Sequence, residues 1–129
     1  MDGRGLGATV ESVVDGDTLH LAYSLEFGLV RRARARLFGV NAGEIFGEAA
    51  GSPARVEGEK HARFVREWVA AGAAPPRTAW PFIAVVHGLD KYGRDLITLE
   101  RMKDGQVLNR ALIEAFPAVG SGAGLADVI

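Results

Sequence analysis

Residues 34–44 read Arg34-Ala-Arg-Leu-Phe-Gly-Val-Asn-Ala-Gly-Glu44, and the rest of the chain is organised around this stretch. Its first part alternates arginines with small or apolar residues, which predicts a half-buried strand with Arg32, Arg34 and Arg36 on one face. Its second part is a turn that brings the amide of Asn41 close to the carboxylate of Glu44. A guanidinium beside oxygen ligands is suited to holding a phosphodiester and a hard cation together.

Short strands dominate the pattern on either side of this stretch. The predicted strands cover residues 8–14, 18–23, 29–40, 78–87 and 94–100, and the predicted helices cover residues 52–72 and 106–116. The pair Asp15-Gly16 is a strong signal for a hairpin turn between the first two strands. Five short strands with a helix between the third and the fourth favour a β-rich α+β fold, a five-stranded OB-fold-like barrel with two helices.

Length and composition describe one ordinary globular domain. The chain has 129 residues, no cysteine and a formal net charge of −1. Because non-specific nucleic-acid binding depends on phosphate neutralisation, this balance argues against tight, processive binding but permits a local basic groove. We expect a flexible N-terminus over residues 1–7, a domain over residues 8–117 and a flexible tail over residues 118–129. With no signal peptide and no membrane-spanning run, the expected location is the cytoplasm.

Two other stretches carry groups that could complete a site near Arg36. The first is Val14-Asp-Gly-Asp-Thr18, and the second is Asp90-Lys-Tyr-Gly-Arg94. An aspartate in the first motif is commonly just turn chemistry, in which its side chain bonds to the backbone. With Asn41 and Glu44 available from the neighbouring strand, a calcium site at Asp17 is the better interpretation, because calcium prefers several oxygen ligands.

Four motifs in this order resemble the thermonuclease, or staphylococcal nuclease-like, family. They are Asp-Gly-Asp-Thr, Arg-Leu-x-Gly-Val-Asn-x-x-Glu, Asp-Lys-Tyr-Gly-Arg and Leu-Asn-x-x-Leu, and the resemblance covers residues 8–116. It implies the same barrel, and a calcium-dependent nuclease that hydrolyses phosphodiester bonds of DNA or RNA. The implied partners are RNA and single-stranded or locally melted DNA.

The resemblance also implies a set of calcium ligands. Asp17 would supply a carboxylate, Ala42 its backbone carbonyl, and Asn41 an amide oxygen where the staphylococcal member of the family has Asp. This substitution removes one negative charge from the site, so calcium affinity is expected to fall. Gly43 stands where that member has Pro, which is expected to loosen the loop that carries Glu44.

The catalytic roles implied by the resemblance fall on three residues. Arg36 and Arg94 would clamp the phosphate and stabilise the extra charge of the transition state. Glu44 would activate water for in-line attack on phosphorus. Lys91 and Tyr92 match residues that grip a terminal phosphate, although a purely structural role in the turn fits them equally well.

One departure from the family keeps a second function open. Family members usually continue into a third helix, which this chain lacks, so a homodimer is one way to cover the core. The near-neutral charge, Asn41 and Gly43 favour a non-catalytic OB-like module that binds nucleic acid or another protein. The combination of Arg36, Glu44 and Arg94 favours the enzyme, since a binding module has little need of the glutamate.

Overall fold

The computed structural model describes residues 5–42, 49–75 and 78–120. The strands are β1 Gly5–Val13, β2 Thr18–Ser24, β3 Val30–Leu37, β4 Phe82–Leu89 and β5 Asp95–Arg101. The α-helices in these residues are α1 Pro53–Ala73, between β3 and β4, and α2 Leu108–Ala115, after β5. Short 3-10 turns occupy Glu26–Gly28 and Pro117–Val119.

The five strands close into a barrel in the order β1-β2-β3-β5-β4. Every pairing is antiparallel except that of β3 with β5, which is parallel and covers Ala35–Leu37 against Asp95–Ile97. This confirms the predicted OB-fold-like barrel of the α+β class. The parallel pairing brings the end of β3 beside the start of β5, and so brings two of the predicted motifs together.

Alternation along β2 and β3 separates a core face from a solvent face. Leu19, Leu21 and Tyr23 of β2 point into the barrel, and Ala35 and Leu37 of β3 do the same. The helices add Val65 and Trp68 from α1 and Leu108 and Leu112 from α2 to the same core. Since successive side chains of a strand point to opposite faces, Arg32, Arg34 and Arg36 of β3 lie on the outside.

The barrel closes further upstream than the sequence predicted. Strand β1 begins at Gly5, not at Ala8, and residues 5–8 pair with residues 82–85 of β4. Gly5 has no side chain, which allows β1 to approach β4 this closely. A Cβ at Gly5 would lie 2.7 Å from a side-chain methyl of Ile83. Residues 5–7 of the predicted N-terminal segment thus belong to β1, and residues 1–4 lie outside the described part of the chain.

The first residues of the predicted C-terminal tail also contact the barrel. Val119 is buried in the core, and its carbonyl accepts a hydrogen bond from the Asn41 N–H at 2.7 Å. Val40 and Gly120 form an isolated β-bridge at the same place. The chain after α2 thus fixes the start of the Asn41 turn, whereas residues 121–129 lie outside the described part.

Candidate functional site

The turn between β1 and β2 places Asp17 at the end of the barrel where β3 stops. The Asp17 carbonyl accepts a hydrogen bond from the Leu37 N–H at 2.8 Å, so the turn is tied to the last residue of β3. Gly16 is required by packing, because a Cβ there would lie 2.5 Å from His61 and 2.8 Å from Ala42. The resulting fold of the turn leaves the Asp17 side chain only 6% exposed.

Among the described residues, the Asp17 carboxylate has several donors around it, and its one ion pair is long. The Thr18 hydroxyl donates to Oδ1 at 3.0 Å, and the Ala42 N–H donates to Oδ2 at 3.1 Å. The nearest cation is the Arg36 guanidinium, whose Nη2 lies 3.5 Å from Oδ2. These contacts bring together three of the predicted site residues from two separate segments.

Burial sets the protonation state of this carboxylate. The pKa of Asp17 rises from 3.8 to about 7, first because the charge is desolvated and then because of the hydrogen bond and the negative charge of Asp15. The opposing effects of Arg36 and Thr18 are smaller. A cation beside Asp17 would offset the desolvation and the repulsion together, so the position fits a metal ligand.

Arg36 links the carboxylate to the predicted amide ligand. It sits on the outer face of β3, opposite Thr18 of β2 and Leu96 of β5. Its Nη2 donates to Asn41 Oδ1 at 3.1 Å while lying near Asp17. The Arg36 guanidinium therefore lies beside both side chains that are predicted to bind the metal, Asp17 and Asn41.

Arg94 reaches the same place from the turn between β4 and β5. Its Nε lies 2.6 Å from Asp90 Oδ2, and its Nη1 donates to the Thr18 hydroxyl at 3.3 Å. Burial acts to raise the pKa of Asp90, but the hydrogen bonds from Arg94 and Tyr92 outweigh it and hold that pKa below its usual range. Asp90 consequently stays ionised and fixes the guanidinium beside Thr18, next to Asp17.

Lys91 and Tyr92 lie at the rim of the site. Tyr92 is 71% exposed, with Lys91 Nζ at 5.1 Å and Arg94 Cζ at 5.4 Å from its ring centroid. Cations at this distance from an aromatic face are weakly attracted to it. The structure therefore places a phenol ring and an ammonium group on the outer side of Arg94.

Glu44, the predicted catalytic base, lies outside the described residues. Within residues 5–42, 49–75 and 78–120, no three His, Asp or Glu side chains gather as they would around a metal ion. The groups that could hold a metal are the carboxylate of Asp17, the amide oxygen of Asn41 and the carbonyl of Ala42. All three are hard oxygen donors, which suits calcium better than a softer metal.

Three residues that the sequence analysis did not assign to the site have defined positions in it. Asp15 adds a second carboxylate next to Asp17, Thr18 bridges Asp17 to Arg94, and Asp90 orients Arg94. Each belongs to a motif that was recognised, so the signal was present. Asp15 and Asp90 stand in predicted turns, and a role in the turn accounts for each of them without an electrostatic role.

Asn109, from the motif Leu-Asn-x-x-Leu, ties the site end of β3 to α2. Its Nδ2 donates to the carbonyls of Phe38 and Ile97, both at 2.9 Å, and its Oδ1 accepts from the Leu99 N–H at 3.2 Å. The buried amide thus holds the segment that leads from Arg36 to Asn41.

Neither a scan against protein-family models nor a search among curated proteins finds a match to this chain. No helix in the described part of the chain is long and apolar enough to cross a membrane.

Proposed function

We propose that this protein is a calcium-dependent nuclease that hydrolyses phosphodiester bonds in RNA and in single-stranded or locally melted DNA. The proposal is carried by the convergence of Asp17, Arg36, Asn41 and Arg94. Arg36 lies 3.5 Å from Asp17 and 3.1 Å from Asn41, and Arg94 lies 3.3 Å from the hydroxyl that bonds to Asp17. Two guanidiniums next to hard oxygen ligands suit a phosphate that is bound to a metal ion.

Asp17, Asn41 and the carbonyl of Ala42 would hold the calcium ion. When bound, calcium would polarise a phosphate oxygen and neutralise part of its charge. The raised pKa of Asp17 supports this assignment, because a buried carboxylate at a pKa of about 7 gains from a neighbouring cation. With one carboxylate from this set, the affinity is expected to lie at the weak end for calcium sites.

Arg36 and Arg94 would bind the phosphate oxygens that gain charge in the transition state. Both guanidiniums are held in advance, Arg36 by Asn41 and Arg94 by Asp90. Donors that are already oriented cost little reorganisation during the reaction, which is the main source of electrostatic catalysis. Their carboxylate and amide neighbours fix the guanidinium planes and leave their remaining N–H groups for phosphate.

Glu44 would take a proton from the attacking water. The water oxygen then bonds to phosphorus, and the phosphorus–oxygen bond on the opposite side breaks. By the resemblance to thermonucleases, the departing group is the 5′ oxygen, which takes up a proton, and the other product keeps a 3′-phosphate. Lys91 and Tyr92, on the outer side of Arg94, would bind a second phosphate of the substrate.

The alternative is an OB-like module that binds nucleic acid or a protein without cleaving anything. The formal net charge of −1 and the amide at position 41 favour it. The binding-module alternative does not explain why Asp90 fixes Arg94 beside the turn of Asp17. A simple binding face does not need two guanidiniums oriented around a buried carboxylate.

Release of acid-soluble fragments separates the two functions. Heat-denatured DNA and RNA are incubated with the protein in millimolar calcium and in chelator. We expect calcium-dependent cleavage that falls about 10²- to 10³-fold in Arg36→Ala, the usual cost of losing one transition-state donor. Glu44→Ala is expected to lose activity as well, because the water loses its base.

A matched control is Arg110→Ala, which removes an exposed arginine that pairs with Glu114 on α2. It is expected to keep wild-type activity. Folded wild-type protein that cuts neither substrate at any calcium level would overturn the nuclease proposal and leave the binding module.

A further inference from the structure

Three arginines at alternate positions of β3 form a row that extends away from the candidate site. Arg36 is half-buried in the site, and Arg34 and Arg32 follow at alternate positions on the same outer face, both exposed. A strand rises about 3.3 Å per residue, so the row from Arg36 to Arg32 is about 13 Å long. A row of this length can contact more than one phosphate of a single-stranded backbone.

A shallow groove of about 280 Å³ lies on the outer face at the Arg34 and Arg32 end of this row. It is lined by Glu11, His20, Leu21, Arg32, Ala33 and Arg34. His20 of β2 lies directly across from Arg34 in the sheet register. Its imidazole adds a flat ring of the kind on which unpaired bases stack.

The two outer arginines differ in what they already bind. Arg32 Nε donates to Glu11 Oε2 at 3.1 Å, so part of its charge is neutralised. The side chain of Arg34 makes no hydrogen bond or ion pair with any residue in the described ranges. An exposed guanidinium without a protein partner, in a groove with a second arginine, is suited to an anionic chain.

The overall charge makes this groove a local feature. The chain carries a formal net charge of −1, so non-specific attraction of polyanions to the whole molecule is not expected. A row of cations that continues from Arg36 instead offers consecutive contacts to a phosphate backbone. Grooves of this kind are how proteins follow a single strand.

We propose that the outer face of β2 and β3, from Arg36 through Arg34 to Arg32, binds the backbone of the single-stranded nucleic acid that enters the site. The inference rests on the proposed function, because the strand it places on β3 is the substrate. OB-fold barrels commonly bind oligonucleotides on the face of these two strands. Arg34 contributes more than Arg32, since Glu11 competes with phosphate for Arg32.

Binding without cleavage tests the groove independently of catalysis. Fluorescence anisotropy of a labelled oligothymidylate is measured in chelator over a series of salt concentrations. For Arg32→Gln/Arg34→Gln we expect binding about tenfold weaker than wild type, as for the loss of a charge-assisted hydrogen bond. The slope of log K against log salt is expected to fall by about 0.7 for each phosphate contact removed.

Two further variants separate charge from structure. Arg63→Gln/Arg66→Gln makes the same change on the exposed face of α1 and is expected to keep wild-type affinity and slope. Arg34→Lys retains the charge and is expected to keep the salt slope. A loss of affinity in the α1 variant equal to that in the β3 variant would overturn the groove in favour of net charge.

The outcomes also separate this inference from the nuclease proposal. If the wild type cleaves but Arg32→Gln/Arg34→Gln binds with unchanged affinity and slope, the groove is wrong and the nuclease stands. If nothing is cleaved but the β3 variant alone binds more weakly, the groove stands and the nuclease falls. No binding by the wild type in chelator at low salt would overturn the groove.

Discussion

Two buried aspartates with arginine neighbours behave in opposite ways in this barrel. Asp95 is 2% exposed, and its Oδ2 accepts hydrogen bonds from the Tyr23 hydroxyl at 2.9 Å and from Arg31 Nη1 at 2.7 Å. Asp17 is 6% exposed, and its arginine lies farther away, at 3.5 Å, and is shared with Asn41. The Asp95 carboxylate therefore has a close arginine partner, and the Asp17 carboxylate does not.

The surroundings explain the difference. Arg31 also reaches Asp95 Oδ1 with its second nitrogen at 3.4 Å, so a guanidinium donates to both oxygens of Asp95. The two oxygens of Asp17 accept instead from neutral groups, the Thr18 hydroxyl and the Ala42 N–H. Asp17 has a second carboxylate, Asp15, beside it, and burial together with Asp15 raises its pKa to about 7. A buried carboxylate whose charge is balanced by close donors, such as Asp95, stabilises a fold. A buried carboxylate whose charge is only partly balanced, such as Asp17, is typical of a functional site.

Tyr23 shows that the Asp95 network is a structural one. Burial is the largest cause that raises the pKa of Tyr23, followed by the hydrogen bond to Asp95 and its charge. The phenol therefore stays protonated and donates at any physiological pH.

Asp95→Ala is expected to produce the largest loss of stability. It leaves the buried Tyr23 hydroxyl without its acceptor and Arg31 without its partner. Because the Arg31 side chain is 51% exposed, we expect a cost of about 2–3 kcal/mol, below the 3–5 kcal/mol of a fully buried pair. Urea unfolding at neutral pH measures it.

Tyr23→Phe is the matched test of the same network. It removes only the hydroxyl and should cost about 1 kcal/mol, because Asp95 keeps Arg31. In a double-mutant cycle the two losses should be less than additive, since they share one hydrogen bond. A change of only a few tenths of a kcal/mol for Asp95→Ala would contradict the structural role.

Asp17→Asn is expected to do the reverse and stabilise the calcium-free protein at high pH. In the unfolded chain Asp17 loses its proton near its ordinary value of 3.8, whereas in the fold it does so near 7. Between about pH 4 and about pH 7 the folded state therefore binds more protons than the unfolded state, so the free energy of unfolding falls as pH rises through this range. The neutral amide removes this loss, so at pH 8 the variant should gain about 1 kcal/mol or more.

Thermal unfolding in chelator at pH 5 and pH 8 measures the effect. The wild type should lose stability between the two values, and Asp17→Asn should change less. Asp15→Asn provides the comparison, because it removes the neighbouring charge and should move the wild-type transition to lower pH. Identical pH profiles for the wild type and Asp17→Asn would show that Asp17 is not the group responsible.

The sequence carried enough information for the barrel and for the convergence of its motifs. The recurrence of Leu19, Leu21 and Tyr23 at alternate positions predicted one face of β2, and Arg32, Arg34 and Arg36 predicted the outer face of β3. The motifs around Asp17, Arg36 and Arg94 were predicted to meet, and they do. These features are local patterns, which a single sequence records directly.

The Asp95 network could not be predicted in the same way. Its members are separated by 72 residues for Tyr23 and 64 residues for Arg31, and none of them stands in a recognisable motif. Asp95 appeared only as the beginning of a strand. The contacts of residues 5–7 and 118–120 could not be predicted for a related reason, because they form between segments that are distant in the sequence.

Asn41→Asp is expected to have the smallest effect, and it tests whether the surroundings of Asp17, unlike those of Asp95, bind calcium. A carboxylate at position 41 restores the charge that the resemblance to thermonucleases leads one to expect there. Because ligand charge is one determinant of calcium affinity, we expect binding about tenfold tighter at pH 8, where Asp17 is ionised. Isothermal titration with calcium measures this directly.

The counterpart Gln106→Glu makes the same change of amide to carboxylate at an exposed position, where the side-chain oxygen accepts from Trp68 Nε1. It should leave calcium affinity unchanged. At pH 5 the advantage of Asn41→Asp should shrink, since Asp17 is then largely protonated and the new carboxylate has only Arg36 to pair with. Equal calcium affinity of wild type and Asn41→Asp at pH 8 would mean that Asn41 does not face the ion, and would leave Asp17 as a carboxylate whose burial needs another explanation.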